Sequence, residues 1–177
     1  MRAAVTVLAL GAVVACKPPP TEADMARQLP EDEPKPASAP LSSPDSEGAV
    51  WKVSAQDSQR IIYGVPGSPA LMALTCLTDA VPSQVRITRL SPADEEAGAL
   101  LAFVGNGHIG RIQVDATTVE GKSIWQGEVP ALDERLEPLA GPRQFTATIP
   151  GAGMVTFNPS DTPMEWLEAC RARSKKR

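Results

Sequence analysis

Histidine is almost missing from this chain, and cysteine and aromatic residues are scarce. His108 is the one histidine, and the three cysteines, Cys16, Cys76 and Cys170, include no CxxC pair. That supply leaves a metal pair without its usual ligands. Neither a Gly-x-Ser-x-Gly elbow nor a P-loop lysine followed by Ser or Thr is present, so no catalytic motif and no cofactor are expected. The longest apolar stretch, near the start, falls short of the roughly 20 residues that a membrane-spanning helix needs. A basic face is lacking too. Residues 48–170 carry eight basic and 14 acidic side chains, which gives no electrostatic footprint for nucleic acid. No internal repeat is visible.

What is present begins with Met1-Arg2, a largely apolar run from Ala3 to Val14, and Ala15. A short basic start, an apolar stretch and a small residue before a cleavage point make a secretory signal peptide. Within it, Val13-Val14-Ala15-Cys16 resembles the lipobox of bacterial lipoproteins. The resemblance implies that residues 1–15 are removed and that Cys16 carries a diacylglyceryl group, with the membrane as first partner. It also implies sorting: Lys17 rather than Asp follows the cysteine, which favours the inner leaflet of the outer membrane over the inner membrane's outer leaflet.

Assigning Cys16 to lipid leaves Cys76 and Cys170. Two cysteines in an oxidising envelope compartment read as one disulfide, with two buried thiols as the alternative. The bridge would close a loop of 94 positions. In the chain-entropy model that closure is worth about 4.7 kcal/mol.

Residues 16–47 are rich in Pro, Ser and acidic side chains, with three basic residues against seven acidic ones. Such a segment buries too little apolar surface to offset the entropy of ordering, so it is expected to be a disordered tether. The globular domain is expected over 48–173. Residues 174–177 form a basic tail.

Within the domain, short apolar runs alternate with turn residues. Val50 to Val53, Ile61 to Tyr63, Val85 to Leu90, Leu100 to Val104, Ile109 to Val114, Lys122 to Val129, Phe145 to Ile149 and Met154 to Phe157 read as strands. Ala70 to Leu77 is almost wholly apolar and reads as a central strand covered on both faces, or as a buried helical turn. Asn106-Gly107 between two apolar runs is a hairpin signal, because a type I′ turn needs positive φ at both central residues. Ser91-Pro92-Ala93-Asp94 has the form of a short helix start. Leu132, Leu136 and Leu139 suggest a short helical crossing that Pro138 limits. At the end, Thr162 as cap, Pro163 at the first helical position and Glu165 completing a capping box predict a helix. Met164, Leu167 and Cys170 lie on one stripe of it. The fold class that follows is mainly β: an antiparallel sandwich or partly open barrel of seven to nine short strands, with a C-terminal α-helix packed on it.

The candidate sites are few. Gly105-Asn106-Gly107-His108 is either a plain hairpin or a loop that touches a ligand or partner. A general base at His108 would need a nucleophile and an orienting group that the sequence does not supply. Trp51, Trp125 and Trp166 could form a ligand platform, but fit the core better in a domain so poor in aromatics. Asp94-Glu95-Glu96 lacks alternating ligand spacing and reads as a solvated loop. The Arg171 to Arg177 cluster complements a helix C-terminus, or meets anionic envelope polymers or headgroups. An enzyme acting on an envelope polymer would draw its acid and base from Asp115, Glu120 and Glu128.

Several stretches together resemble a family of uncharacterised proteobacterial lipoproteins. They are Tyr63 to Pro69, the Cys76 strand, Leu101 to Ile109, Ile124 to Glu128, Pro150 to Gly153, and Glu168 to Arg171. The resemblance implies a periplasm-facing domain and brings no activity with it. A Cys-bearing strand followed by a Cys-bearing terminal helix is also similar in layout to envelope accessory proteins of the type VI secretion and invasion-associated families. The expected function is a lipid-anchored binding or accessory module with an envelope protein partner. The other readings are the polymer-cleaving enzyme above and an inhibitor of a hydrolase.

Overall fold

A computed structural model describes residues 38–174. Residues 1–15, Cys16, the expected tether as far as residue 37 and the last three residues of the basic tail lie outside the described residues.

Nine strands form one antiparallel sheet: β1 (Val50–Val53), β2 (Arg60–Gly64), β3 (Met72–Leu77), β4 (Gln84–Pro92), β5 (Gly98–Gly105), β6 (His108–Val119), β7 (Lys122–Pro130), β8 (Phe145–Thr148) and β9 (Met154–Phe157). Their spatial order is β1-β2-β3-β4-β7-β6-β5-β8-β9. β5, β6 and β7 form a meander; β4 returns beside β7 and β8 beside β5, so two Greek keys share the same three strands. The sheet curls into a nearly closed barrel, in line with the mainly β expectation.

An odd number of antiparallel strands has a geometric consequence: β1 and β9 run in the same direction, so the antiparallel ladder cannot continue across the seam. Among the described pairings none joins β1 to β9. Side chains bridge the gap instead. The Tyr63 hydroxyl donates to the Thr156 carbonyl at 2.9 Å and accepts from the Asn158 amide N–H at 3.0 Å. Asn158 Nδ2 donates to the carbonyls of Ser46 (3.0 Å) and Ala49 (2.9 Å).

The free edge of β9 is covered by residues 38–47, the last part of the segment read from the sequence as a tether. Leu41 N–H bonds the Gly151 carbonyl at 2.8 Å, and Met154 N–H bonds Ser43 Oγ at 3.0 Å. Both numbers rise together from Leu41–Gly151 through Ser43–Met154 to Ser46–Asn158. This strap therefore runs parallel to β9 and satisfies part of an edge that would otherwise present unpaired backbone.

Alternation along the strands sends every second side chain inward. Leu101 and Phe103 on β5, Ile112 and Val114 on β6, and Ile61 and Tyr63 on β2 are fully buried. Inside, Phe157 stacks on Phe145 (4.4 Å between centroids) and on Trp51 (5.2 Å), with Tyr63 edge-on at 4.7 Å. The interior is packed rather than hollow. On β3, Met72, Ala73 and Leu74 are all buried, which decides for the doubly covered strand over a helical turn.

One end of the barrel is closed by a 3₁₀ helix, η1 (Glu134–Leu139), and by the helix α1 (Thr162–Ser174). η1 buries Leu136 and Leu139 while Leu132 stays 51% exposed. The leucine stripe thus shortens to i, i+3, which matches three residues per turn. η1 lies directly on β6 at Gly110, where a Cβ would stand 1.9 Å from the Arg135 carbonyl. α1 buries Pro163, Trp166, Leu167 and Cys170, and Met164 is only partly buried. Its first backbone bond runs from the Glu165 N–H to the Asp161 carbonyl at 3.0 Å, one residue before the expected cap, and Ser160 Oγ accepts from the Thr162 N–H at 3.2 Å. Cys170 is bonded to Cys76, with 5.8 Å between their Cα atoms. The expected bridge ties α1 to β3.

The expected helix start at Ser91-Pro92 is instead the end of β4. The strand carries an irregularity between Arg89 and Pro92, and Pro92 pairs with Ile124 of β7. Proline is tolerated there because a bulge at a strand end spares it from donating to the ladder. The turn that follows has Glu96 at φ 62.

Candidate functional site

The hairpin tip Gly105 to His108 forms the predicted turn, with Asn106 at φ 50 and Gly107 at φ 83. Its asparagine is committed elsewhere. Asn106 Nδ2 donates to the carbonyls of Pro138 (2.8 Å) and Gly141 (3.1 Å), and its Oδ1 accepts from the Arg143 N–H at 3.2 Å. The side chain therefore clamps the crossover between η1 and β8. Gly105 is equally constrained, since a Cβ there would lie 2.2 Å from Phe145 Cβ. His108 is exposed, and its neighbour Ile109 is 59% exposed and pairs across the hairpin with Val104, 45% exposed. What remains available to a partner is His108 and this apolar pair; Asn106 is structural.

The three tryptophans do not assemble into a platform. Trp51 stacks in the aromatic core, Trp125 donates to the Pro92 carbonyl at 3.2 Å, and Trp166 donates to the Gln59 carbonyl at 2.9 Å. Of the acidic run, Asp94 accepts from the Ser38 N–H at 2.9 Å and from its hydroxyl, which anchors the start of the strap. Among the described residues no three His, Cys, Asp or Glu side chains gather as a metal-binding group.

Asp115, Glu120 and Glu128 all lie on the exposed outer surface. Asp115 points outward from β6, Glu120 occupies the β6–β7 turn at φ 51, and Glu128 on β7 is held by Arg86 of β4 at 2.7 Å. Two clefts hold little acid–base material. One of about 470 Å³ lies beside the end of α1, between Ser58, Gln59, Thr78, Ser83 and Arg173. The other, about 330 Å³, lies under the strap at the opposite end, between Leu41, Trp125, Gly151 and Asp94, the one carboxylate among the described residues that line either. Within the basic end, Arg171 bonds the Ala131 carbonyl at 2.9 Å and Glu137 at 2.7 Å, and Arg173 bonds Gln59 at 3.1 Å. Those two arginines fasten α1 to its surroundings.

One group was not visible as special in the sequence. Arg89 points into the barrel and is 5% exposed. Its guanidinium donates to the carbonyls of Leu71 (2.8 Å) and Ala152 (3.3 Å), while Nε has no partner among the described residues. Burial pushes its pKa down from the ordinary arginine range. The side chain laces the β2–β3 turn to the β8–β9 turn, at the end of the barrel opposite the disulfide. An inward position at the last full pair of β4 was the available signal, but Arg89 alternates with Thr88 and Leu90 in a way that gave no warning.

The outer surface is uneven. Across β4 and β7 it carries the Arg86–Glu128 pair, whereas β5, β8 and β9 present Leu100, Ala102, Val104, Thr146, Met154 and Thr156, without a charge. Leu100 is 53% exposed and Met154 42%. No family model matches this chain, and no curated protein or solved structure is detectably similar to it. Among the described residues no helix is long and apolar enough to cross a membrane.

Proposed function

We propose that this protein is a lipid-anchored envelope protein whose barrel acts by binding, at its outer surface, as an accessory module. The observation that carries the reading is the filled interior. Aromatic and aliphatic side chains of the described residues occupy the lumen from Trp51 to Phe157, which leaves recognition to outward residues. The Cys76–Cys170 bridge supports an oxidising compartment. The Val13-Val14-Ala15-Cys16 motif supplies the anchor, and Lys17 favours the outer membrane's inner leaflet, facing the periplasm. Asp115, Glu120 and Glu128 lie on the open outer surface and Glu128 is paired with Arg86, which favours binding over the polymer-cleaving alternative, a reaction that in glycoside hydrolysis uses two carboxyl groups facing one bond. The inhibitor alternative retains only His108 and Ile109 as an exposed tip.

The test has two parts. Mass measurement of the mature chain, with and without reductant, should show a diacylglyceryl adduct on a chain beginning at Cys16, and a two-proton gain on reduction. Crosslinking in the intact envelope should then recover a specific protein partner through the anchored form. An unmodified Cys16 removes the anchor, and a chain that crosslinks only to abundant bystanders removes the binding role.

A further inference from the structure

Outward side chains on β5 and β6 fall in cross-strand rows, because register partners share a face. Gln113 lies beside Leu100, Arg111 beside Ala102, and Asp115 beside Gly98. The row of Leu100 and Gln113 is therefore flanked by a cationic row on one side and an anionic row on the other. Arg111 and Asp115 are exposed, and neither side chain has an ion-pair partner among the described residues. This contrasts with Arg86 and Glu128, which satisfy each other. The two charges stand four positions apart, about 13 Å of strand at roughly 3.3 Å per residue.

A two-fold axis laid across the strands at the Leu100–Gln113 row reverses strand direction and keeps lateral order. Under that operation β6 faces β6 of a second copy in antiparallel sense, and β5 faces β5. Arg111 then meets Asp115 of the copy, and Asp115 meets its Arg111. Gln113 meets Gln113, and Leu100 meets Leu100 on the axis. Ala102 faces Gly98, so the rows beside the leucines carry almost no side-chain bulk and allow close approach. An isologous contact requires this kind of self-complementarity, in which residue i meets j and j meets i. Glu128, one strand away, brings no repulsion to the axis because Arg86 neutralises it. We propose that the outer face of β5 and β6 is an isologous docking surface for a second copy of this chain, centred on Leu100 and Gln113 and locked by two reciprocal Arg111–Asp115 ion pairs. The inference stands on this face alone and does not depend on lipid at Cys16.

Sedimentation velocity of the full chain, in a non-ionic detergent, should show a monomer–dimer equilibrium. Charge reversal supplies the specific test. Arg111→Asp alone, or Asp115→Arg alone, places like charges opposite each other and should weaken dimerisation at least about tenfold. Combining Arg111→Asp with Asp115→Arg should restore it to within about threefold, because the reciprocal pairs re-form with their signs exchanged. All four side chains involved are on the exposed surface, so the fold is not at stake. Independently, Gln113→Cys should crosslink to itself under mild oxidation, well above both the parent chain and Lys52→Cys on β1. A chain that sediments only as a monomer would overturn the proposal. So would a double reversal no better than the singles, or equal crosslinking at Gln113→Cys and Lys52→Cys.

Discussion

Replacing Asn106 separates a clamp from an exposed loop tip, and the most conservative substitution should be the most damaging. The side chain makes three hydrogen bonds, two as donor to Pro138 and Gly141 and one as acceptor from Arg143. At about 1 kcal/mol net each, their loss in Asn106→Gly comes to about 3 kcal/mol, offset by only a few tenths because glycine suits the positive φ. Asn106→Asp keeps the acceptor but turns both donors into a carboxylate oxygen facing two carbonyl oxygens. Repulsion and unsatisfied carbonyls then add to the lost bonds, for about 3–4 kcal/mol. Urea titration of the oxidised protein at pH 7 reads both values. The corresponding fall in Tm is about 3–5 °C per kcal/mol for a domain of this size. Acidification toward pH 4 protonates the new carboxyl and returns one donor, so the deficit of the Asp variant should narrow there. An Asp variant as stable as the parent, or more stable than the Gly variant, would refute the clamp and reinstate a free loop.

Three further outcomes follow from the packing around η1 and α1. Gly110→Ala should cost at least about 3 kcal/mol and loosen η1, since its Cβ would sit 1.9 Å from the Arg135 carbonyl; proteolysis between β7 and β8 reports it. Cys170→Ser should lose up to about 4.7 kcal/mol and release α1, visible as a change in Trp166 fluorescence, whereas equal stability with and without reductant would contradict a closed bridge in solution. Asp133 caps η1 through the Arg135 N–H at 2.9 Å, and its hydrogen bond with the Arg135 guanidinium holds its carboxyl below the usual range. A depressed folded-state pKa means its contribution is present above the ordinary Asp value and is lost as pH falls through the folded one. Asp133→Asn should therefore flatten the acid limb of the stability curve below about pH 4.

The β class, the Asn106 turn, the terminal helix and the Cys76–Cys170 pairing were legible because each rests on local chemistry: alternation, a positive-φ residue pair, a proline-led helix start, and a cysteine count. The strap was not legible. Residues 38–47 have no periodicity, and the bonds that fasten them to the barrel run to Asp94, Gly151, Met154 and Asn158, all 56 or more positions away. The Glu120-Gly121 turn has the same positive φ at both residues, 51 and 76, as the Asn106 turn. It escaped notice because glutamate does not announce that conformation as asparagine does. Ser91-Pro92 misled for a related reason: a capping serine and a proline suit a helix start and a strand-end bulge equally well, and only the register with Ile124 chooses between them. At the candidate site, the sequence located the Gly105 to His108 turn but could not reveal that its asparagine is consumed by a segment more than 30 positions away.

The strap also sets how the domain answers to force. Any pull transmitted through residues before Ser38 enters at Asp94, then meets Gly151, Met154 and Asn158 in that order before it reaches β1. These fastenings act in series, so they would fail one at a time, each at the strength of a few hydrogen bonds. The aromatic core and the disulfide-bound end lie beyond the last of them. The seam that the odd strand count leaves unpaired is thus bordered by a strap whose fastenings run from the β4–β5 turn along β9, and a pull from the N-terminal side would peel it in that order before β1 is reached.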